Sequence, residues 1–296
     1  MTYHLLPVAA LVFNAFVWGL SWWPFRQLHG AGVHPLWGTA LLYVVALGVL
    51  LLRRRTAWAT ARAHPALWWL ALSAGLTNLC FNWAVTAGDV VRVVLLFYLM
   101  PAWSVLLAWR LLGERPTAPA LLRLALAFTG VVLVVVPADA VWSRLLQGLS
   151  LADALAMLGG LGFAFTNVTL RRLQAVPGDA RMLAMFGGCM VLPGMAALLG
   201  TAWGALPGLP APAWGWVLVA LGLAAAFMVG NQALQYAAAR LPAGTTALVM
   251  LSEVLFASAS AVALGAAALD LRTALGGACI VGAALLAIAR IRSTPT

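Results

Sequence analysis

The chain has 296 residues, 64% of them hydrophobic and 8% charged, with a mean hydropathy of +1.00. Seventeen arginines and seven acidic residues cannot clothe a water-soluble globule of 31.1 kDa, so the outer surface must face lipid. A formal charge of +10 would suggest nucleic acid in a soluble protein, but here arginines fall in short connections such as Arg53-Arg54-Arg55, in the manner of cytoplasmic loops, and no nucleic-acid partner is expected.

A helix needs about 20 mainly apolar residues to cross a hydrocarbon core of about 30 Å, and ten stretches qualify. The first runs from Leu6 to Phe25 and carries Asn14, Trp18 and Trp22 at four-residue spacing, on one face, with Ser21 beside them. No basic residue precedes it, and Trp22-Trp23-Pro24 stands where a signal-peptide cleavage site would fall, so it is read as a retained span. The second and third cover Pro35 to Leu52 and Ala66 to Ala87; the third places Asn78 and Asn82 on one face, with Phe81 adjacent. The fourth, Val93 to Trp109, contains Tyr98, Pro101 and Trp103. Pro101 has no amide proton and is expected to kink this helix, either as a hinge or as a static bend that improves packing.

The fifth span is Pro119 to Val136, and the sixth, Leu151 to Leu170, brings Phe163, Thr166 and Asn167. The seventh is Met182 to Trp203, and the eighth, Trp214 to Ala239, holds Asn231, Gln232, Gln235 and Tyr236. The ninth, Thr245 to Leu264, has Glu253 near its middle, and the tenth is Thr273 to Ala289. These runs are apolar all round, which excludes the alternating strands of a membrane barrel.

Polar groups are costly in hydrocarbon, so those within spans are expected to face the bundle interior or a wet cavity. The amides and aromatic rings named above make a lining suited to a ligand with an apolar body and hydrogen-bonding groups, such as an amino acid. The competing reading is that Asn and Gln only bridge helices. Trp37, Trp68, Trp69 and Trp214 near span ends read as interfacial belts. Glu253 has three open uses: proton coupling, binding a substrate ammonium, or holding helix nine against its neighbours. Arg92 reads as a snorkelling anchor rather than a cavity-mouth residue, and Cys80, Cys189 and Cys279 as inert packing residues. Gly159-Gly160, Gly187-Gly188 and Gly276-Gly277 suit close helix contact. No phosphate loop, catalytic set or metal-ligand spacing is present, so neither enzyme chemistry nor a cofactor is expected.

Orientation follows from the arginines. With the N-terminus inside, Arg53, Arg54, Arg55, Arg62, Arg110, Arg115, Arg123, Arg171, Arg172, Arg181, Arg240, Arg290 and Arg292 lie inside, against Arg26, Arg92, Arg144 and Arg272 outside. Both termini are then cytoplasmic. The chain also repeats weakly: Leu111-Leu112-Gly113 and Gly130-Val131-Val132-Leu133 match Ala263-Leu264-Gly265 and Gly282-Ala283-Ala284-Leu285 at an offset of 152. Trp18, Ser21 and Arg26 fall against Phe163, Thr166 and Arg171. A five-helix unit repeated once enters the membrane from opposite faces, giving an inverted repeat of residues 1–138 and 149–292 joined through Pro137 to Ser150.

Trp18-Gly19-Leu20-Ser21, Tyr98-Leu99-Met100-Pro101, the run from Leu111 through Gly113-Glu114-Arg115-Pro116, and Gly130 together resemble the EamA repeat of the drug/metabolite transporter superfamily. The resemblance implies an all-α membrane protein of ten helices in two inverted repeats, and a bacterial inner-membrane exporter of small metabolites, amino acids and aromatic amino acids being well represented. In the second half Glu253 stands where the counterpart of Pro101 would fall, and Ala266 where that of Glu114 would. The function expected is a secondary transporter exporting small metabolites, amino acids above all, by alternating access, as a monomer rather than an obligate oligomer. The alternative is proton-coupled efflux of organic cations through Glu253. Dianionic cargo is disfavoured because no basic residue lies in mid-span.

Overall fold

The computed structural model describes residues 5–88, 90–136, 148–266 and 270–293, and every regular element among them is helical. The sequence boundary at 137–147, with Asp139 and Arg144, and the side chains of Arg290 and Arg292 lie outside the described residues. In chain order the helices are α1 (Leu5–Leu20), α2 (Trp22–Gly30), α3 (Pro35–Arg53), α4 (Thr56–Ala63), α5 (Leu67–Ala87), α6 (Val90–Phe97) and α7 (Met100–Leu112). They continue as α8 (Ala118–Val135), α9 (Leu151–Arg172), α10 (Gly178–Ala202), α11 (Trp214–Ala238), α12 (Ala243–Met250), α13 (Ser252–Ala263) and α14 (Leu271–Ser293).

Among the described residues, eight runs are long and apolar enough to cross a bilayer, including Leu5–Gly30, Arg92–Leu112 and Ala243–Ala263, each of which joins two of these helices. The chain is thus an all-helical, multi-pass membrane protein. α5 has spanning length, but Ser73, Thr77, Asn78, Asn82 and Thr86 dilute its hydropathy, and the apolar part of α14 is Leu271–Ala287.

Three of the runs are interrupted, and proline accounts for two. Pro24 cannot donate to the carbonyl of Leu20, and the helix breaks at Ser21. Pro101 cannot donate to Phe97, and the helix breaks at Tyr98 and Leu99. Pro101 therefore sits in the first turn of α7, where a missing donor costs nothing, and the expected kink is instead a full interruption. The third break, at Leu251, has no proline; the backbone tightens into three-residue turns from Leu251 to Leu248 and from Val254 to Leu251.

Small residues set the closest contacts. A Cβ on Gly188 would run into the carbonyl of Ala71, and one on Gly75 into the carbonyl of Gly188, so α5 and α10 meet backbone to backbone. α8 and α14 do the same reciprocally, with Cβ positions on Gly130 and Gly276 lying 2.6 and 2.7 Å from each other's carbonyl oxygens. α5 packs on α9 and α10, α11 on α1 and α3, α7 on α9, both α12 and α13 on α1, and α3 on α10.

One end of the bundle, where α3 finishes and α5 starts, carries Arg53, Arg54, Arg55, Arg62, Arg110, Arg115, Arg171, Arg172 and Arg240; the other carries Arg26, Arg92 and Arg272. At the arginine-rich end Arg54 pairs with Asp179 at 3.5 Å and Arg171 with Glu114 at 3.9 Å, both partly exposed and worth little individually. Arg171 also donates to the carbonyl of Ala239, at 2.9 Å.

Gly188→Ala is expected to lower stability by about 1–3 kcal/mol through overpacking, whereas Gly187→Ala, with nothing within 4 Å of its Cβ position, should gain up to about 1 kcal/mol of helix propensity; thermal unfolding in detergent compares the two. His34 caps α3 by accepting from the amide of Leu36 at 3.3 Å. Burial, and then the neighbouring His29, hold its pKa below the ordinary 6.5. The neutral cap therefore stabilises fully above pH 6.5 and is lost as pH falls through the lowered value. Melting temperature should drop on acidification across that window, and His34→Asn, which caps without titrating, should flatten the profile.

Candidate functional site

A cavity of about 490 Å³ lies within the bundle. Its walls come from both halves of the chain: Trp18 and Gly19 from α1, Trp22 and Phe25 from α2, Thr39 and Tyr43 from α3, and Thr77, Asn78, Phe81 and Asn82 from α5. Phe97, Tyr98, Met100, Phe163 and Thr166 continue the ring, and Met185, Cys189, Phe227, Asn231, Met250, Glu253 and Ser258 close it. Pro35, Val85, Val94, Val134 and Val135 carry the lining to the arginine-poor end. At the other end the lining stops at Ala74, Met100, Met185, Leu234 and Met250, so the cavity is closed there by packed helices.

Aromatic rings build two of its faces. Trp18 meets Phe227 edge-on with centroids 4.4 Å apart, and Tyr43 stacks on Phe227 at 6.3 Å. Phe97 joins Phe81 at 4.6 Å and Phe163 at 6.2 Å. Such faces offer apolar area to a flat ligand and a negative face to a cation.

The polar groups are held by bonds between helices and to backbone carbonyls of their own helix. Asn82 Nδ2 donates to Thr39 Oγ1 at 2.7 Å, Asn78 Nδ2 to the carbonyl of Ala74 at 3.1 Å and to Cys189 Sγ at 3.2 Å. Thr166 donates to Ser73 Oγ at 2.9 Å, and Trp22 Nε1 to Ser260 Oγ at 2.9 Å. Asn231 Nδ2 bonds the carbonyl of Phe227 at 2.9 Å. Ser21 Oγ turns back to the carbonyl of Trp18 at 2.6 Å. Glu253 falls in the first turn of α13, just beyond the Leu251 break, where the helix dipole favours a carboxylate, and it pairs with the Tyr98 phenol. Among the described residues, no arginine or histidine lines the cavity. Among the described residues, no three His, Cys, Asp or Glu side chains stand close enough to hold a metal ion.

The residues singled out in the sequence divide. Trp18, Ser21, Trp22, Asn78, Asn82, Tyr98, Phe163, Thr166 and Glu253 line the cavity; Asn14, Trp103, Asn167, Gln232 and Tyr236 do not. Asn14 is fully buried below the floor and donates to Met250 Sδ at 3.2 Å, and Asn167 is buried at the same depth. Gln232 is on the outer surface of α11, because it is turned about 100° from Asn231 along the helix. Tyr236 sits at the arginine-rich end under the Arg240 guanidinium, 3.9 Å from its ring centre. Gln235 is spent on α10: its amide, oriented to satisfy both groups, donates to the carbonyl of Gly178 at 3.2 Å and accepts from the amide of Met182 at 3.0 Å.

Other placements differ from the sequence reading as well. Trp37 is half-buried with its Nε1 shut away rather than in an exposed belt, whereas Trp68, Trp69 and Trp214 are exposed. Cys189 is a wall residue. Arg92 is no snorkelling anchor: its Nε lies 2.8 Å from Asp153 Oδ1, with side-chain exposures of 15% and 2%, and it donates to the carbonyl of Gly148. Asp153 also closes a capping box with Ser150 at the start of α9, so one carboxylate joins two helices beside the cavity mouth. Sequence reasoning missed Thr39, Tyr43 and Phe227. The four-residue spacing of Pro35, Thr39 and Tyr43 is the signal that marks the inner face of α3.

Residues 5–136 match the model of the EamA-like transporter family. No curated protein matches the chain in sequence. A solved crystal structure aligns with a TM-score of 0.78 over 98% of this chain and 98% of its own, at 18% identity. That likeness is one of fold. The apolar spans make the chain a membrane protein, and the family match over residues 5–136 suggests a transporter of small molecules.

Asp153→Ala should cost about 3 kcal/mol, since it leaves the Arg92 guanidinium without its carboxylate and the α9 terminus without its cap. Asp153→Asn, which keeps a capping oxygen, should cost less. Thermal unfolding of the two variants against the parent checks the order.

Proposed function

We propose that the chain is an EamA-like exporter of small metabolites, amino acids including aromatic ones being the preferred cargo. It would work by alternating access in a bacterial inner membrane, with both termini cytoplasmic and the monomer as the working unit. In this reading its ten spans form two inverted five-helix repeats, residues 1–138 and 149–292, with α1/α2, α6/α7 and α12/α13 each counted as one span. The helix contacts support the repeat. α5 on α9 and α10 answers to α11 on α1 and α3 when the halves are exchanged, α7 on α9 answers to α13 on α1, and the α8–α14 and α3–α10 pairs exchange with themselves. The breaks support it too, since Leu99 and Leu251 stand at the offset of 152 found in the sequence.

The observation that carries the transport reading is the cavity itself, built between the two halves, open toward one end and closed at the other. Its chemistry favours a zwitterion with an apolar body. Glu253 and the faces of Trp18 and Tyr43 suit an ammonium, and the second amide proton of Asn82, whose first goes to Thr39, suits a carboxylate. Proton-coupled efflux of organic cations is the second reading, favoured by one acid and no base among the described lining residues.

Reconstituted protein should show counterflow of a labelled aromatic amino acid. Trp18→Ala should raise KM about tenfold by removing cation–π and apolar contact. Glu253→Gln should raise KM without altering the response to a pH gradient if Glu253 binds ammonium, and should abolish that response if it carries the proton. Unchanged transport of every substrate in both variants would remove the cavity from the mechanism.

A further inference from the structure

Four polar side chains lie below the cavity floor, toward the arginine-rich end, and are almost entirely inaccessible: Asn14 and Ser104 at 0%, Asn167 at 1% and Thr246 at 0%. Asn14 Oδ1, Ser104 Oγ, both amide atoms of Asn167 and Thr246 Oγ1 have no hydrogen-bond partner among the described residues. On the cavity walls Asn78, Asn82, Thr166, Asn231 and Trp22 are bonded, while Trp18 Nε1 lacks a partner. Polar groups buried in a bilayer-spanning bundle are normally satisfied, and Ser and Thr usually find a carbonyl on their own helix. These do not.

Their register is systematic. Each lies one helical turn beyond a residue of the cavity wall: Asn14 below Trp18, Ser104 below Met100, Asn167 below Phe163 and Thr246 below Met250. The four helices concerned, α1, α7, α9 and α12, meet around α12, which packs on each of the others. Small residues line that junction: Ala108, Val168 and Ala243 form one buried cluster, and the Cβ position of Gly244 is 3.3 Å from Val105. Asn14 also reaches Met250 Sδ, linking the seam to the floor.

Resting on the transport reading above, we propose that Asn14, Ser104, Asn167 and Thr246 are the closed half of the transport path. They prolong four wall faces toward the arginine-rich side, and the conformation opposite to this one wets them and leads the polar groups of the cargo past them. Water then supplies the bonds these atoms lack when the seam is shut, which favours its opening, and the small side chains let the helices part without uncovering large apolar surfaces.

The test uses Ser104→Cys and Thr246→Cys in oriented membrane vesicles, treated with a membrane-impermeant cationic thiosulfonate from either face. Labelling is read peptide by peptide by mass, with native cysteines retained, and counterflow of L-phenylalanine is measured on the same vesicles. Both positions should label about tenfold faster from the cytoplasmic face than from the outer face, a ratio set by a minor, inward-open population. Labelling only from the outer face, or from neither, overturns the seam, and counterflow persisting alongside it leaves the transport reading intact. Cytoplasmic labelling without counterflow supports the seam and removes L-phenylalanine as cargo. Thr246→Val and Ser104→Ala guard against misfolding of the cysteine variants: they should raise the melting temperature and slow turnover several-fold, and unchanged turnover in both would count against the proposal.

Discussion

Hydrocarbon supplies no hydrogen bonds, and the arrangement of this protein follows from that. Amides, hydroxyls and carboxylates within a span are therefore favoured where they turn inward and meet a partner or water. Around the cavity the bundle provides partners by bonding across helices: Asn82 to Thr39, Thr166 to Ser73, Trp22 to Ser260. Gathering these groups on inner faces leaves a chamber whose polar atoms are fixed in position and whose remaining surface is aromatic. The same pressure leaves Leu122, Leu198, Leu218 and Leu285 facing outward.

Helix interruption supplies what side chains alone cannot. At Ser21, at Tyr98 and Leu99, and at Leu251 the backbone leaves the regular ladder beside the cavity, and its freed groups are sheltered inside protein. Close approach makes this shelter possible. The Cβ position of Gly19 is 2.5 Å from the carbonyl of Glu253, and that of Gly160 is 2.5 Å from the carbonyl of Phe97, so neither site has room for a larger residue unless the helices shift. The third break delivers Glu253 to the first turn of a new helix, where backbone amides favour its charge.

Hydropathy and charge made the helical, membrane-spanning plan legible, because both depend on composition over long windows. The four-residue periodicity of Asn14, Trp18 and Trp22 marked a true inner face, yet it carries no information about depth, and Asn14 falls past the cavity floor. For Gln232 the difficulty is rotational: a neighbour of the buried Asn231 can still face outward. Tyr43 escaped notice because one tyrosine in an apolar run reads like any span residue, and its stacking on Phe227 joins positions far apart in the chain. The partner of Arg92 was illegible for the same reason, since Asp153 belongs to another span. Pro101 was recognised as a disruption, but whether a proline bends a helix or ends it is decided by neighbours such as Gly160, which packs against the Phe97 carbonyl.

The central claim is that the inward faces border water, not acyl chains. It is tested most directly by nitroxide labels on the protein in liposomes, at Val135 and Ser258 on the cavity wall and at Leu221 and Val281 on the outer surface. The first pair should relax with a water-soluble nickel chelate and the second with dissolved oxygen, which concentrates in lipid. If Val135 and Ser258 respond to oxygen and ignore the chelate, the chamber is not solvated and the account is wrong.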